Sequence, residues 1–174
     1  MKNTIFGAFA VAAMLVALPI PVSAQDVDEV NEAIATLREA DSGIGSFFSN
    51  SAGYAIFPGV GKAGLGIGGA RGSGLVFKGG TVIGKVTLTQ VSVGFQAGGQ
   101  EFIEAIFFET GAALDDFTGG NFEFNAQVSA VALTAGASAD ASYSNSIAVF
   151  TLAKGGLMYE AAVGGQKFDF EAND

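Results

Sequence analysis

G-Y-A-I-F-P-G-V-G-K-A-G-L-G-I-G-G-A-R-G-S-G-L-V-F-K, residues 53–78, sets the class of this fold. From Gly53 onward the apolar positions recur with a period of two, the spacing of strands rather than helices. Glycine interrupts the pattern at Gly64, Gly66, Gly68, Gly69, Gly72 and Gly74. A glycine inside a strand weakens it, so each marks a bend, a bulge or a close approach of backbone. The simplest reading is a tightly packed pair of strands where no side chain larger than hydrogen fits.

The same pattern runs on through the chain. Strands are expected at 54–57, 63–69, 73–78, 81–96, 102–108, 122–135, 146–153, 157–163 and 167–170. In 122–135, Phe122, Phe124, Ala126, Val128, Ala130 and Ala132 alternate with Glu123, Asn125, Gln127 and Ser129. Two helices interrupt the strands. Over 26–40, Val27, Val30, Ile34 and Leu37 form one apolar stripe among acids, and Ser42-Gly43 ends it. Over 110–117, Thr110 is placed to cap a short helix containing Ala112, Ala113 and Leu114. An open sheet edge invites mispairing, so short strands joined by glycine turns favour a sheet curving towards closure. The expected class is mainly β: a curved antiparallel barrel-like sheet with an N-terminal amphipathic helix and one short inserted helix.

Residues 1–24 read as a secretory signal peptide. Lys2 gives a positive start, an apolar run spans 5–18, and Pro19 and Pro21 break it. Val22-Ser23-Ala24 offers the small residues a signal peptidase reads, which places cleavage after Ala24. The apolar run is shorter than the roughly 20 residues of a comfortable membrane helix. Residues 25–174 then form a single domain, and with no Cys in the chain no disulfide supports it. The expected location is the periplasm.

The chain of 174 residues has eight basic and 17 acidic residues, a net charge of −9. That balance argues against nucleic acid, which needs a concentrated basic surface. The charge is uneven, however. Six acids lie between Asp26 and Asp41, while Lys62, Arg71, Lys78 and Lys85 sit in a stretch, 42–100, without any acid.

Catalytic chemistry has few tools here. With no His and no Cys, the commonest bases, thiol nucleophiles and imidazole ligands are missing. Gly59-Val60-Gly61-Lys62-Ala63-Gly64 fits G-x-G-x-x-G, but neither a helix nor an acid follows at the required distance. Residues 79–86 approach a phosphate loop, yet Val86 replaces the hydroxyl that would hold the metal. Asp115-Asp116 reads as a solvated helix face rather than a calcium site. Glu101 and Glu104 fall on opposite sides of a strand, so they form no acid–base pair. No catalytic residue, metal ligand or cofactor site is assigned.

Several segments, in order, resemble the SYLF domain. They are Phe57-Pro58, Lys62-Ala63-Gly64, Gly69 and Gly72-Ser73-Gly74, followed by an apolar strand. Gly94-Phe95-Gln96-Ala97-Gly98, the strand 103–108, Ala113-Leu114 with Phe117, the Gly/Ala-rich 126–141, and Lys154-Gly155-Gly156-Leu157 with Gly164 continue the match over 27–170. The resemblance implies a non-enzymatic phospholipid-binding protein of the bacterial cell envelope. Eukaryotic relatives bind phosphoinositides and actin through an amphipathic helix and basic residues; this helix is acidic, and actin binding is not carried over.

On that basis Lys62, Arg71, Lys78 and Lys85 are expected to contact lipid head groups, with Phe47 and Phe48 against acyl chains. Gly64, Gly69, Gly72 and Gly74 are the motif glycines. The partner is a phospholipid or membrane surface, not nucleic acid. Two other readings stand beside it: an outer-membrane β-barrel, and a structural or adhesive envelope protein that binds another protein.

Overall fold

The computed structural model describes residues 22–94, 99–125, 127–155 and 163–173. Most of the expected signal peptide, the end of the expected strand 81–96 and nearly all of 157–163 lie outside them. Helix α1 (Ala24–Ala40) opens with a capping box: Ser23 Oγ accepts from Asp26 N, and the Asp26 carboxylate accepts from Ser23 N at 2.8 Å. It therefore begins ahead of the expected helix, and its cap lies on the N-terminal side of the expected cleavage point. Val30, Ala33 and Leu37 are buried and Val27 and Ile34 pack beside them, so the apolar stripe docks on the sheet. A 3₁₀ turn (Ser42–Ile44) leads into α2 (Gly45–Asn50).

Strand β1 (Gly53–Lys78) is continuous for 26 residues where three strands were expected. Its first part pairs with β3 (Gly99–Phe108) and its second with β2 (Thr81–Gly94), both antiparallel. Pro58-Gly59 forms a bulge, the place in a sheet where a missing N–H is tolerated. The Gly79-Gly80 turn into β2 has φ of 58° and 79°, which glycine adopts without steric cost.

The two parts of β1 come face to face across their glycines. A Cβ on Gly72 would lie 2.9 Å from Val60 Cγ2 and 3.0 Å from Gly59 O; one on Gly74 would collide with Ile56 O. The packing reading of the glycines therefore holds at these two positions. Gly69 lies against Gln90 O, and Gly64 is on the same strand.

The inserted helix is α3 (Gly111–Thr118), with the Thr110 hydroxyl accepting from Ala113 N. The expected strand 122–135 is corrected: only β4 (Phe122–Glu123) and β5 (Val131–Ala132) pair. Asn125 Oδ1 accepts from Gln127 N at 3.0 Å, a local turn that competes with strand pairing. With β6 (Ile147–Ala153) and β7 (Gln166–Ala172), the sheet order is β4-β7-β2-β1-β3-β6-β5. The sheet is mainly β and curled into a half-barrel; it is antiparallel except for the parallel β5–β6 pair.

Both faces of the central strands are covered. The concave face packs Phe57, Phe102, Ile106, Phe108, Phe117, Phe124 and Phe168. The convex face carries Ile56, Leu75, Ile103 and Phe107 under α1 and α2. Gly74→Ala is expected to destabilise the protein by about 1–3 kcal/mol through overpacking against the Ile56 carbonyl, against less than ~0.5 kcal/mol for Gly111→Ala in the open first turn of α3. Denaturant titration of both variants measures the contrast; equal losses would show that β1 does not need this close approach.

Candidate functional site

The docking of α1 leaves a groove between the helix and the convex face of the sheet. It holds two cavities, of about 200 and 530 Å³, which share Glu29, Pro58 and Ser73 in their walls. Acids dominate its polar lining: Asp26, Glu29, Glu32, Glu101, Asp169 and Glu171, against Lys85 and Lys154. Lys85 Nζ lies 2.7 Å from Asp26 Oδ2, and Lys154 Nζ lies 2.9 Å from Glu101 Oε1. The hydrogen bond from Lys85 and those from Ser23 pull the Asp26 carboxyl down to about 2. The groove is therefore an anionic surface whose two lysines are neutralised. Among the described residues, no group of three metal-ligating side chains forms.

Beyond the groove, Asp41 anchors the end of α1. It is almost fully buried, and its carboxylate accepts from Ser138 N at 2.7 Å and Gly43 N at 2.9 Å. The Ser138 bond is the main reason its carboxyl lies below the usual range.

The four expected head-group cations do not converge. Lys85 belongs to the groove, tied to Asp26. Lys78, exposed at the β1–β2 turn, faces Asp115 at 3.6 Å. Arg71 is exposed on β1, opposite Thr89; Lys62 is half-buried, opposite Gln100. Strand alternation puts Arg71 on the convex face and Lys62 on the concave one. Among the described residues, neither has an acidic partner within salt-bridge distance.

The apolar contacts need correction. Phe47 is only 8% exposed and packs its ring 4.8 Å from Phe150 and 5.5 Å from Phe107, so it is core rather than surface. Phe48 is half-buried, edge-on to Phe107 at 4.9 Å, with the Arg38 guanidinium 4.8 Å over its ring. The two rings close the convex core because α2 turns them inward against β3 and β6. The motif glycines Gly72 and Gly74 are buried by the same strand packing, so their role is steric and not the exposure of amides to an anion.

One surface apolar residue escaped the sequence reading. Val91 on β2 is 81% exposed, the exception among large hydrophobic side chains of the described residues. It pairs with Gly69, which makes it the diagonal neighbour of Arg71 on the same face. Alternation in 81–96 did signal an outward side chain there, but not that nothing would cover it. Glu101 and Glu104 do face opposite ways, as expected: Glu101 lies in the groove and Glu104 is fully buried on the concave side.

A comparison with models of protein families returns no match, and a comparison with curated proteins returns none either.

Because Asp26 titrates lower in the folded state, the Lys85 contact stabilises fully above the ordinary carboxyl value of 3.8 and is lost as pH falls towards about 2. Both partners are partly solvated, so Lys85→Ala is expected to cost less than ~1 kcal/mol near neutrality while returning Asp26 towards its ordinary titration. A carboxyl NMR titration reads this directly; an unmoved Asp26 would remove Lys85 as the clasp of α1.

Proposed function

We propose that this is a non-enzymatic envelope protein, exported through residues 1–24, that binds phospholipid head groups through the far end of the β1–β2 arm. The supporting observation is the pairing of Arg71 and the bare Val91 on one face, with Lys62 on the same strand, in a stretch where 42–100 contains no acid. A cation that addresses phosphate beside an apolar side chain that enters the interface is the minimal unit of peripheral membrane contact. The resemblance to SYLF domains points the same way. Compared with the expectation from sequence, the site narrows to Arg71 and Val91, since Lys62 faces the other side of the sheet. Lys78 and Lys85 already have carboxylate partners, and Phe47 and Phe48 are committed to the core.

The acid-lined groove weighs against contact through α1, since anionic lipid would be repelled there. The attraction has to be local and short-ranged, within a Debye length of about 10 Å at 0.1 M salt. A membrane-spanning barrel needs an apolar band facing outward. Here α1 and α2 cover the convex face of β1 and β3 instead, which disfavours that reading.

Flotation of the purified protein with liposomes tests the proposal. Binding to anionic but not zwitterionic vesicles, lost at high salt, is the expected result. Arg71→Glu is expected to weaken it by about tenfold or more, since each basic residue near an anionic surface is worth ~1 kcal/mol. Lys85→Glu is expected to do much less. Equal effects of the two reversals would reject this assignment of the site. Absence of binding to either vesicle would reject the lipid reading and favour a protein partner.

A further inference from the structure

Inside the half-barrel, one acid stands where the sheet is apolar on both sides. Glu104 lies on β3 between Phe102 and Ile106 and has no solvent exposure. Its strand neighbours across the ladder are Phe57 on β1 and Thr151 on β6. Its hydrogen-bond partner comes from elsewhere: Gln166 Nε2, at the start of β7, donates to Glu104 Oε2 at 2.9 Å. Strands β3 and β7 are not neighbours, because β1 and β2 separate them in the sheet. The bond therefore crosses the interior of the curl. A second amide helps at the same place, where Gln90 Nε2 donates to Gly164 O at 3.0 Å.

The cluster leaves polar atoms without partners. Glu104 Oε1, Gln166 Oε1 and Thr151 Oγ1 are all buried without a hydrogen-bond partner. Buried polar atoms left so are rare and costly, and a buried unpaired carboxylate is costlier still. One proton on Glu104 removes the costlier of the two, the buried charge, and makes the carboxyl a donor as well as an acceptor.

We propose that Glu104 is a proton-held latch: in its neutral form it ties the start of β7 to β3 across the interior, and its ionisation releases the β7 side of the sheet. Among the described residues, no counter-charge is positioned to hold the ionised form. The side chains that face Glu104 from β1, β6 and β7 among the described residues are Phe57, Thr151, Gln166 and Phe168, with Leu88 and Gln90 on the same face of β2. None is charged. The concave-face lysine, Lys62, is opposite Gln100, four residues along β3 and so about 13 Å away by strand rise. Glu101, Lys167, Asp169 and Glu171 lie on the other faces of their strands. Burial accordingly pushes the Glu104 carboxyl up to about 8, with the Gln166 bond opposing only in part.

The direction of the pH effect follows. The folded state keeps a proton that the unfolded chain gives up near 4.5, so the folding equilibrium constant falls by up to tenfold per pH unit between about 4.5 and about 8, then levels off. Denaturant unfolding of the purified protein and of Glu104→Gln from pH 5 to 9 isolates this share. The variant, which cannot ionise, is expected to gain steadily over the wild type up to about pH 8. Hydrogen exchange of the wild type alone, corrected for intrinsic base catalysis, keeps the test independent of whether the variant folds. Amides of β7 are expected to lose protection above about pH 8 before those of β3 and β6. Parallel stability profiles for the two proteins would overturn the proposal. So would a loss of protection shared equally by every strand, which would leave Glu104 as a buried acid with no latching role.

Discussion

The close approach of β1 to itself is the constraint on which the rest depends. A single strand of 26 residues serves two partners, β3 with its first part and β2 with its second, and the sheet can curl only because those parts come together. Gly72 and Gly74 stand where Val60 and the Ile56 carbonyl occupy the space a Cβ would need. The Pro58-Gly59 bulge lets the strand change face at the same point. Once the curl exists, its concave side must be filled, and six buried phenylalanines from β1, β3, α3, β7 and the 122–124 segment do so. Its convex side must be covered, and the stripe of α1 with the rings of α2 meets that need.

That logic marks what was legible in the sequence. Period-two patterning and dense glycine identified a curved sheet, and the Val27/Val30/Ile34/Leu37 stripe identified a docked helix. Three expected strands merged into β1 because glycine softens a strand without ending it, and periodicity cannot tell a bend from a break. The 122–135 segment failed in the opposite way. Its alternation is genuine, and Phe124 is buried, but the Asn125 side chain turns the backbone out of the ladder. Alternation reports which side chains face inward, not whether a partner strand is present to pair.

The site was less legible for a physical reason: charge function depends on partners that the sequence places far apart. Lys78, Lys85, Lys62 and Arg71 looked alike within an acid-free stretch. Asp115 and Asp26, distant in sequence, neutralise two of them. The burial of Glu104 did carry a signal. In 102–108 both alternating sets are apolar, Phe102, Ile106 and Phe108 on one side and Ile103, Ala105 and Phe107 on the other. A strand apolar on both faces is buried on both, so a glutamate in its middle has no water to reach.

The titrating groups of the fold act together. Asp26 and Asp41 hold α1 by hydrogen bonds to their ionised forms, and that hold lasts until pH falls below the ordinary carboxyl range. Glu104 acts in the opposite sense, since its neutral form is the one the interior accepts, and its cost grows as pH rises above about 4.5. The two requirements overlap in a narrow acidic window, near pH 4–5, where the ties of α1 are ionised and the interior is uncharged. The sequence pI of about 4.3 lies in the same window, so self-repulsion of this acidic chain is also smallest there. A globular fold ordinarily has its stability maximum nearer neutrality. On the latch proposed for Glu104, its neutral form would draw that maximum towards the acid side.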